Sequence, residues 1–303
     1  GGVSHRVVAS GECAGADDAL HLAMAPAMAG TLAGVIHQSA GWSVTSTLRP
    51  EVGFALGTAL VEHHLGTDGS FGDLKQIPAS ELLDSQLELF SAHYFSPIPD
   101  PETLPVSLED AVAGDAFPVL NLMLGSNRNE SLMYIPEGAV LKNYLEGYFP
   151  PETWDDIKAM LGADLSELAQ MDRLRSAVQY TCPSLALAQA THNAGGAAFV
   201  YRFDRVREGF DAIGAYHGAE LPYVFDTHDA WIPTDTVDRQ ITNALVDYWL
   251  AFLTNGSPNE SQSGNVETDR TMWPTWTQQQ QALVVSDVVS SQTHPDAALC
   301  DFL

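Results

Sequence analysis

Basic residues are scarce: thirteen lysines and arginines stand against thirty-nine aspartates and glutamates, for a formal charge of −26. Only Lys75, Lys142 and Lys158 are lysines. A surface of that sign repels polyphosphate backbones and anionic lipid, which disfavours nucleic acid and anionic membrane as partners and favours a neutral or cationic small molecule. Adaptation to high salt, where screening relieves self-repulsion, is one reading of the charge, and an ordinary acidic surface is the other. Apolar runs are short too. The nearest approach to a membrane span, residues 14–36, is broken by Asp17, Asp18 and His21, so no transmembrane helix is expected. The first residues, Gly1-Gly-Val-Ser-His-Arg6, have neither an initiator methionine nor a basic and apolar leader, and read as the interior of a longer soluble chain. Its compartment is left open between bacterial cytoplasm and secretion.

Cysteine is sparse as well. Cys13, Cys182 and Cys300 cannot all pair within the chain, and none stands in a CxxC or Cys/His spacing suited to zinc. At least one thiol is free or bonded outside the chain. His228 and Asp229 lack further spaced ligands, so no metal site is expected there. Internal repeats and linker-like stretches are missing, and residues 1–303 read as a single domain. Asn129-Glu-Ser, Asn255-Gly-Ser and Asn259-Glu-Ser match the short glycosylation triplet and are taken as chance.

What is present is a core: 45% of the 303 residues are hydrophobic and 9% aromatic, enough for one large α/β domain. Apolar strand patterns fall at residues 6–10, 34–39, 117–124, 197–203 and 282–286. Helical patterns fall between them, at 16–28, 52–64, 80–90, 138–149, 151–161 and 165–193, the last interrupted at Pro183, with an amphipathic helix at 238–252 before the final strand. Strands alternating with helices give right-handed crossovers and a mostly parallel sheet covered on both faces. Segments 96–105 and 257–265 read as surface loops. Trp249, Phe252, Trp273 and Trp276 read as core.

One turn carries chemistry. Gly11-Glu-Cys-Ala-Gly15 joins the first strand to the first helix, in the form of a strained elbow that lifts the Cys13 sulfur to the C-terminal edge of the sheet. The glycines are expected where side chains would collide with strand and helix. At the helix start, the N–H of Ala14 can donate to an oxyanion.

Further motifs follow in order along nearly the whole chain. Arg6-Val-Val-Ala-Ser-Gly-Glu-Cys-Ala-Gly15 resembles the strand and Gly-Glu-Ser-Ala-Gly elbow of type-B carboxylesterases and cholinesterases. Gly34-Val-Ile-His-Gln-Ser39 resembles their next strand, with Ala40 where the family has glycine. Leu124-Gly-Ser-Asn-Arg-Asn-Glu130 is similar to the loop bearing the acid, and Tyr216-His-Gly-Ala-Glu-Leu-Pro-Tyr-Val-Phe225 to the histidine motif. Tyr248-Trp-Leu-Ala-Phe-Leu-Thr-Asn-Gly-Ser-Pro-Asn259 and Trp273-Pro-Thr-Trp276 are similar to its C-terminal helix and the segment beyond.

The resemblance implies an α/β-hydrolase fold and a triad: Cys13 as nucleophile in place of serine, Glu130 as the acid, and His217, at the start of a helix, as the base. Ser39 would hydrogen-bond near the acid and base, Glu12 would flank the nucleophile, and Glu220 would be a structural partner. The implied activity is hydrolysis of a small-molecule carboxylic ester, or a thioester, through an acyl-cysteine, with no cofactor. The alternative is a catalytically silent binding or adhesion module, against which the retention of three polar triad positions argues. Cysteine need not silence the site, because a thiol is far more acidic than a hydroxyl and can rest as a thiolate beside an imidazolium. The family's Gly-Gly oxyanion loop and the strands before the elbow lie upstream of Gly1. The elbow strand is therefore expected to need an N-terminal fragment or a second subunit along its open edge.

Overall fold

A computed structural model of the chain describes residues 6–45, 47–91, 95–114, 116–260 and 270–303. The first residues, 1–5, and the later part of the 257–265 loop lie outside the described residues. Six strands form one sheet in sequence order: β1 (Val7–Glu12), β2 (Leu32–Gln38), β3 (Leu122–Asn127), β4 (Ala198–Phe203), β5 (Gln281–Val285) and β6 (Val289–Thr293). The first five are parallel and β6 runs antiparallel to β5. Every residue of β3 and β4 is buried, as expected of central parallel strands covered on both faces. β1 is at the sheet's edge, with no partner among the described residues on its outer side and none of its residues fully buried.

The strand period of two divides the core. Leu122 and Leu124 of β3 face one way, into a cluster with Leu20, Val35, Leu187, Ala188 and Val200. Met123 faces the other way, into a cluster with Phe199, Tyr201, Phe203, Trp249, Phe252 and Trp273. The helices that cover these faces follow in order: α1 (Ala14–Met24), α2 (Trp42–Thr45), α3 (Pro50–Leu65), α4 (Ala79–Phe90), α5 (Leu108–Ala113), α6 (Leu141–Tyr148), α7 (Trp154–Leu161), α8 (Glu167–Ser176), α9 (Cys182–Asn193), α10 (Leu221–Val224), α11 (Thr236–Asn255) and α12 (Ala297–Phe302). Trp249, Phe252, Trp273 and Trp276 are all buried. The Asn259 amide accepts from the Trp273 N–H at 2.8 Å and donates to its carbonyl at 2.8 Å, which clips that segment onto the end of α11.

The differences from the sequence reading have local causes. The third strand begins at Leu122 rather than 117, since Pro118 has no N–H to offer a ladder. β6, α5 and α12 are short elements that the periodicity did not announce. The long helix at 165–193 does not break at Pro183. Instead α8 runs through a π-helical turn, Ala177–Thr181, directly into α9. Pro183 lacks the N–H that would bond the carbonyl of Gln179, and its ring would crowd that carbonyl. Widening the turn accommodates both.

Cys182 is disulfide-bonded to Cys300 across 118 residues, tying the start of α9 to α12, and Cys13 is the free thiol. Among the described residues no helix is long and apolar enough to cross a membrane.

Candidate active site

The parallel register brings the C-terminal ends of β1, β2 and β3 together: Glu12 pairs with Gln38, and Gln38 with Gly125. Cys13 follows β1 at φ 58 and ψ −131, a conformation that L-residues rarely adopt. Its N–H donates to the carbonyl of Gln38 at 2.9 Å, and its carbonyl accepts from the Ala16 N–H at 3.0 Å. These bonds hold the turn in its strained form. A Cβ on Gly11 would lie 2.0 Å from the carbonyl oxygen of Gly15, so this position requires glycine. Gly15 faces open space, and only the first glycine of the motif is enforced by sterics. Ala14 opens α1, where its N–H has no helical acceptor and the helix dipole favours an anion.

Glu130 and His217 come from loops that lock together. Glu130 is fully buried beyond β3, and its Oε1 accepts the Asn127 N–H at 2.6 Å. The side chain of Asn129 accepts from the Ala215 N–H at 3.0 Å and donates to Asp172 at 2.7 Å. Gly214, at φ 64, presses against that amide so closely that a Cβ would fall 2.2 Å from Asn129 Oδ1. His217 sits in the turn ahead of α10 rather than starting a helix, because helical structure begins only at Leu221. Its Nδ1 meets Glu130 Oε2 at 2.6 Å. The Cys13 sulfur, a His217 ring nitrogen and a Glu12 carboxylate oxygen lie within 4.8 Å of one another, the group of donors found close enough to share a cation among the described residues.

Electrostatics at the site are dominated by carboxylates. Burial disfavours a charged imidazole, but the hydrogen bond and charge of Glu130, the hydrogen bond with Cys13 and the charge of Glu12 outweigh it, and His217 is pushed up to about 10. Burial raises Glu12, with the His217 charge opposing and Glu130 assisting. Behind the trio, Glu220 is fully buried and accepts from Gln38 at 3.0 Å and from Asn127 at 2.6 Å. Burial and the charge of Glu130 push Glu220 up to about 7. Ser39 is buried, and its N–H donates to the Gly125 carbonyl at 2.9 Å.

Sequence reasoning had no signal for Gln38 and Asn127, whose partners are remote in the chain, or for the buried pair of Asp17 and His37. Asp17 contacts His37 Nε2 at 3.0 Å and accepts the Ser43 N–H at 3.2 Å, which fastens the first turn of α1 to the segment after β2. Burial opposes its charge, but the bonds and charge of His37 and the Ser43 N–H hold Asp17 below the ordinary carboxylate value.

Cys13 and His217 open on a cleft of about 910 Å³, walled by Trp42, Arg49, Tyr134, Arg175 and Tyr180. The Tyr180 ring lies 5.2 Å from the His217 ring and 5.3 Å from Trp42. A smaller pocket of about 290 Å³, lined by Met24, Leu32 and Val106 among others, contains no titratable residue.

A search of curated proteins matches the para-nitrobenzyl esterase of Bacillus subtilis (strain 168) at 25% identity, over 98% of this chain and 62% of that one. Human neuroligin-3 is 25% identical over 62% of this chain and 26% of its own length. The chain thus spans about 62% of the length of the esterase relative. Among solved structures, a carboxylesterase from Geobacillus stearothermophilus superposes with a TM-score of 0.77 at 22% identity, covering 98% of this chain and 64% of that one. A PNB esterase superposes with a TM-score of 0.74 at 22% identity, covering 98% and 63%. These structures share the α/β-hydrolase fold, and the profile described as "Carboxylesterase family" matches residues 1–303 throughout. The chain belongs to the carboxylesterase family.

Proposed function

We propose that the protein hydrolyses carboxylic esters through an acyl-cysteine formed on Cys13, with His217 as proton carrier and Glu130 as the group that orients it. The observation that carries this reading is His217 itself, held by Glu130 on Nδ1 beside a cysteine at a strained elbow. The charged His217 beside the sulfur favours attack by Cys13 in its thiolate form. The thiolate attacks the ester carbonyl, and the negative charge on oxygen is met by the Ala14 N–H. Collapse expels the alcohol, which takes the proton from His217. Water then attacks the thioester, giving its proton to the now neutral imidazole, and carboxylic acid and free Cys13 are restored. The shorter span of this chain against its esterase relatives, with the open edge of β1, supports a further segment or a second subunit that covers β1 and completes the oxyanion site. The disulfide supports an oxidising compartment.

Hydrolysis of short-chain aryl esters by the intact protein tests this directly. Cys13→Ala should abolish activity, and iodoacetamide should label Cys13 and remove activity in proportion. Cys13→Ser should retain or gain activity on oxygen esters, with a different pH profile. A serine needs a neutral ring, so its rate should climb with pH toward 10, whereas the thiolate enzyme should decline there as His217 loses its proton. Undiminished hydrolysis by Cys13→Ala would remove Cys13 from the mechanism, and a wild-type protein inert toward every ester and thioester would favour a binding module.

A further inference from the structure

The groups that meet at the elbow are also three ligands suited to a borderline-soft divalent cation: a thiol sulfur, an imidazole nitrogen and a carboxylate oxygen. Two such ligands, each about 2.0 Å from a tetrahedral zinc ion, stand about 3.3 Å apart. Glu12 Oε1 and His217 Nε2 are separated by 3.3 Å. The sulfur of Cys13 completes the group within 4.8 Å, close enough for a side-chain adjustment to close the site. Glu12 Oε1 is buried and accepts no hydrogen bond, its contact with Nε2 lacking the geometry of one. His217 is already oriented as a ligand, because a carboxylate on Nδ1 fixes the ring and leaves Nε2 facing the other two donors. A serine at this elbow would leave out the soft ligand, so the cysteine changes what the site can bind.

We propose that Cys13, His217 and Glu12 form a binding site for Zn²⁺, with three protein ligands and a fourth position open to the cleft. Binding forms Zn–S, Zn–N and Zn–O bonds and releases to solvent the protons held on the Cys13 sulfur and His217 Nε2, with no change of oxidation state. The ion occupies the lone pairs that attack and carry protons, so Zn²⁺ is a reversible stopper of the thiol chemistry and shields Cys13 from alkylation. The site stands on its donor geometry and does not depend on the esterase reading.

Cobalt(II) is the spectroscopic probe. Titrated into the intact protein with the Cys182–Cys300 disulfide in place, it should bind one ion per chain. It should show a thiolate-to-cobalt charge-transfer band and the intense visible bands of a four-coordinate ion, and Zn²⁺ should bleach both. Cys13→Ser should lose the charge-transfer band. Glu12→Gln should keep it but weaken affinity by at least about tenfold, the lower bound for even an outer-shell partner. Zn²⁺ should also slow iodoacetamide labelling of Cys13. Cobalt binding without a thiolate band, affinity unchanged in Glu12→Gln, or labelling as fast with Zn²⁺ as without it would each overturn the proposal. None of these readouts is hydrolysis, so a protein inactive on esters could still bind the ion, and an active esterase could fail to.

Discussion

Two clusters of carboxylates in this molecule, one around the buried Asp238 and Asp296 and one around the buried Glu130 and Glu220, sit in opposite electrical surroundings. Near the far end of β4, Arg202 is buried against Asp204 and Asp296, Arg173 bonds Asp296 at 2.8 Å, and Arg205 bonds Asp235, Asp238 and Asp287 at 2.9, 2.8 and 2.6 Å. Burial disfavours charge on Asp296, but Arg202 and Arg173 outweigh it and hold it at about 2. Around Cys13 the cation facing Glu12 and Glu130 is His217, and Glu12 and Glu220 are raised rather than lowered. In a chain with thirteen basic residues, arginine is concentrated where it holds elements together. The site's carboxylates face a histidine instead, and the histidine is thereby kept charged.

That contrast can be broken at either end. Glu130→Gln removes the acceptor that orients and charges His217, and should lower kcat/KM on aryl esters by about ten-thousandfold while leaving thermal stability nearly intact. Asp296→Ala strikes the other cluster. Arg202 and Arg173 lose their shared partner, and unfolding free energy by denaturant titration should fall by about 3–5 kcal/mol with activity of the folded protein unchanged.

The pH dependence of stability sharpens the comparison, because the signs differ. Glu220, at about 7 against an ordinary 4.5, contributes stability that is complete below 4.5 and lost as pH rises to 7. Asp296, at about 2 against 3.8, contributes stability that is present above 3.8 and lost as pH falls toward 2. Glu220→Gln should therefore flatten the decline in unfolding free energy between pH 4.5 and 7 by about 1 kcal/mol per pH unit, and leave the acid limb in place. The smallest effect concerns the surface. If the −26 charge reflects a saline setting, melting temperature should rise by a few degrees between low and molar salt, and a flat response would mark the charge as ordinary acidic composition.

The sequence revealed those parts of this architecture that are local. The strand, turn and helix around Cys13 were legible because β1, the elbow and α1 are contiguous, and Gly11 is needed for a clash that falls within the same turn. Glu130 and His217 have no such signature. They stand in loops 87 residues apart, and only the resemblance of the flanking motifs singled them out. The bonds from Gln38 and Asn127 to Glu220 span 182 and 93 residues, distances over which no periodicity carries information. The pairing of Cys182 with Cys300 was open for the same reason. The resemblance named Glu12, Cys13 and His217, but not as a set of metal ligands, since spacing rules for metal sites look for ligands close in the chain.

The π-helical turn at Ala177–Thr181 acts on the phase of its helix. One residue beyond an α-helical path sets everything after it back by about 100° around the axis. Before and within the turn, Arg175, Gln179 and Tyr180 wall the cleft. After it, Cys182 reaches Cys300, and Leu187 and Ala188 pack against the sheet. In a helix shortened by that residue the two sets would fall out of step. Keeping the bond to Cys300 would swing Tyr180 away from the His217 ring, and keeping Tyr180 in place would carry Cys182 away from α12. The length of this segment, more than the identity of its side chains, lets one continuous helix be both wall and core.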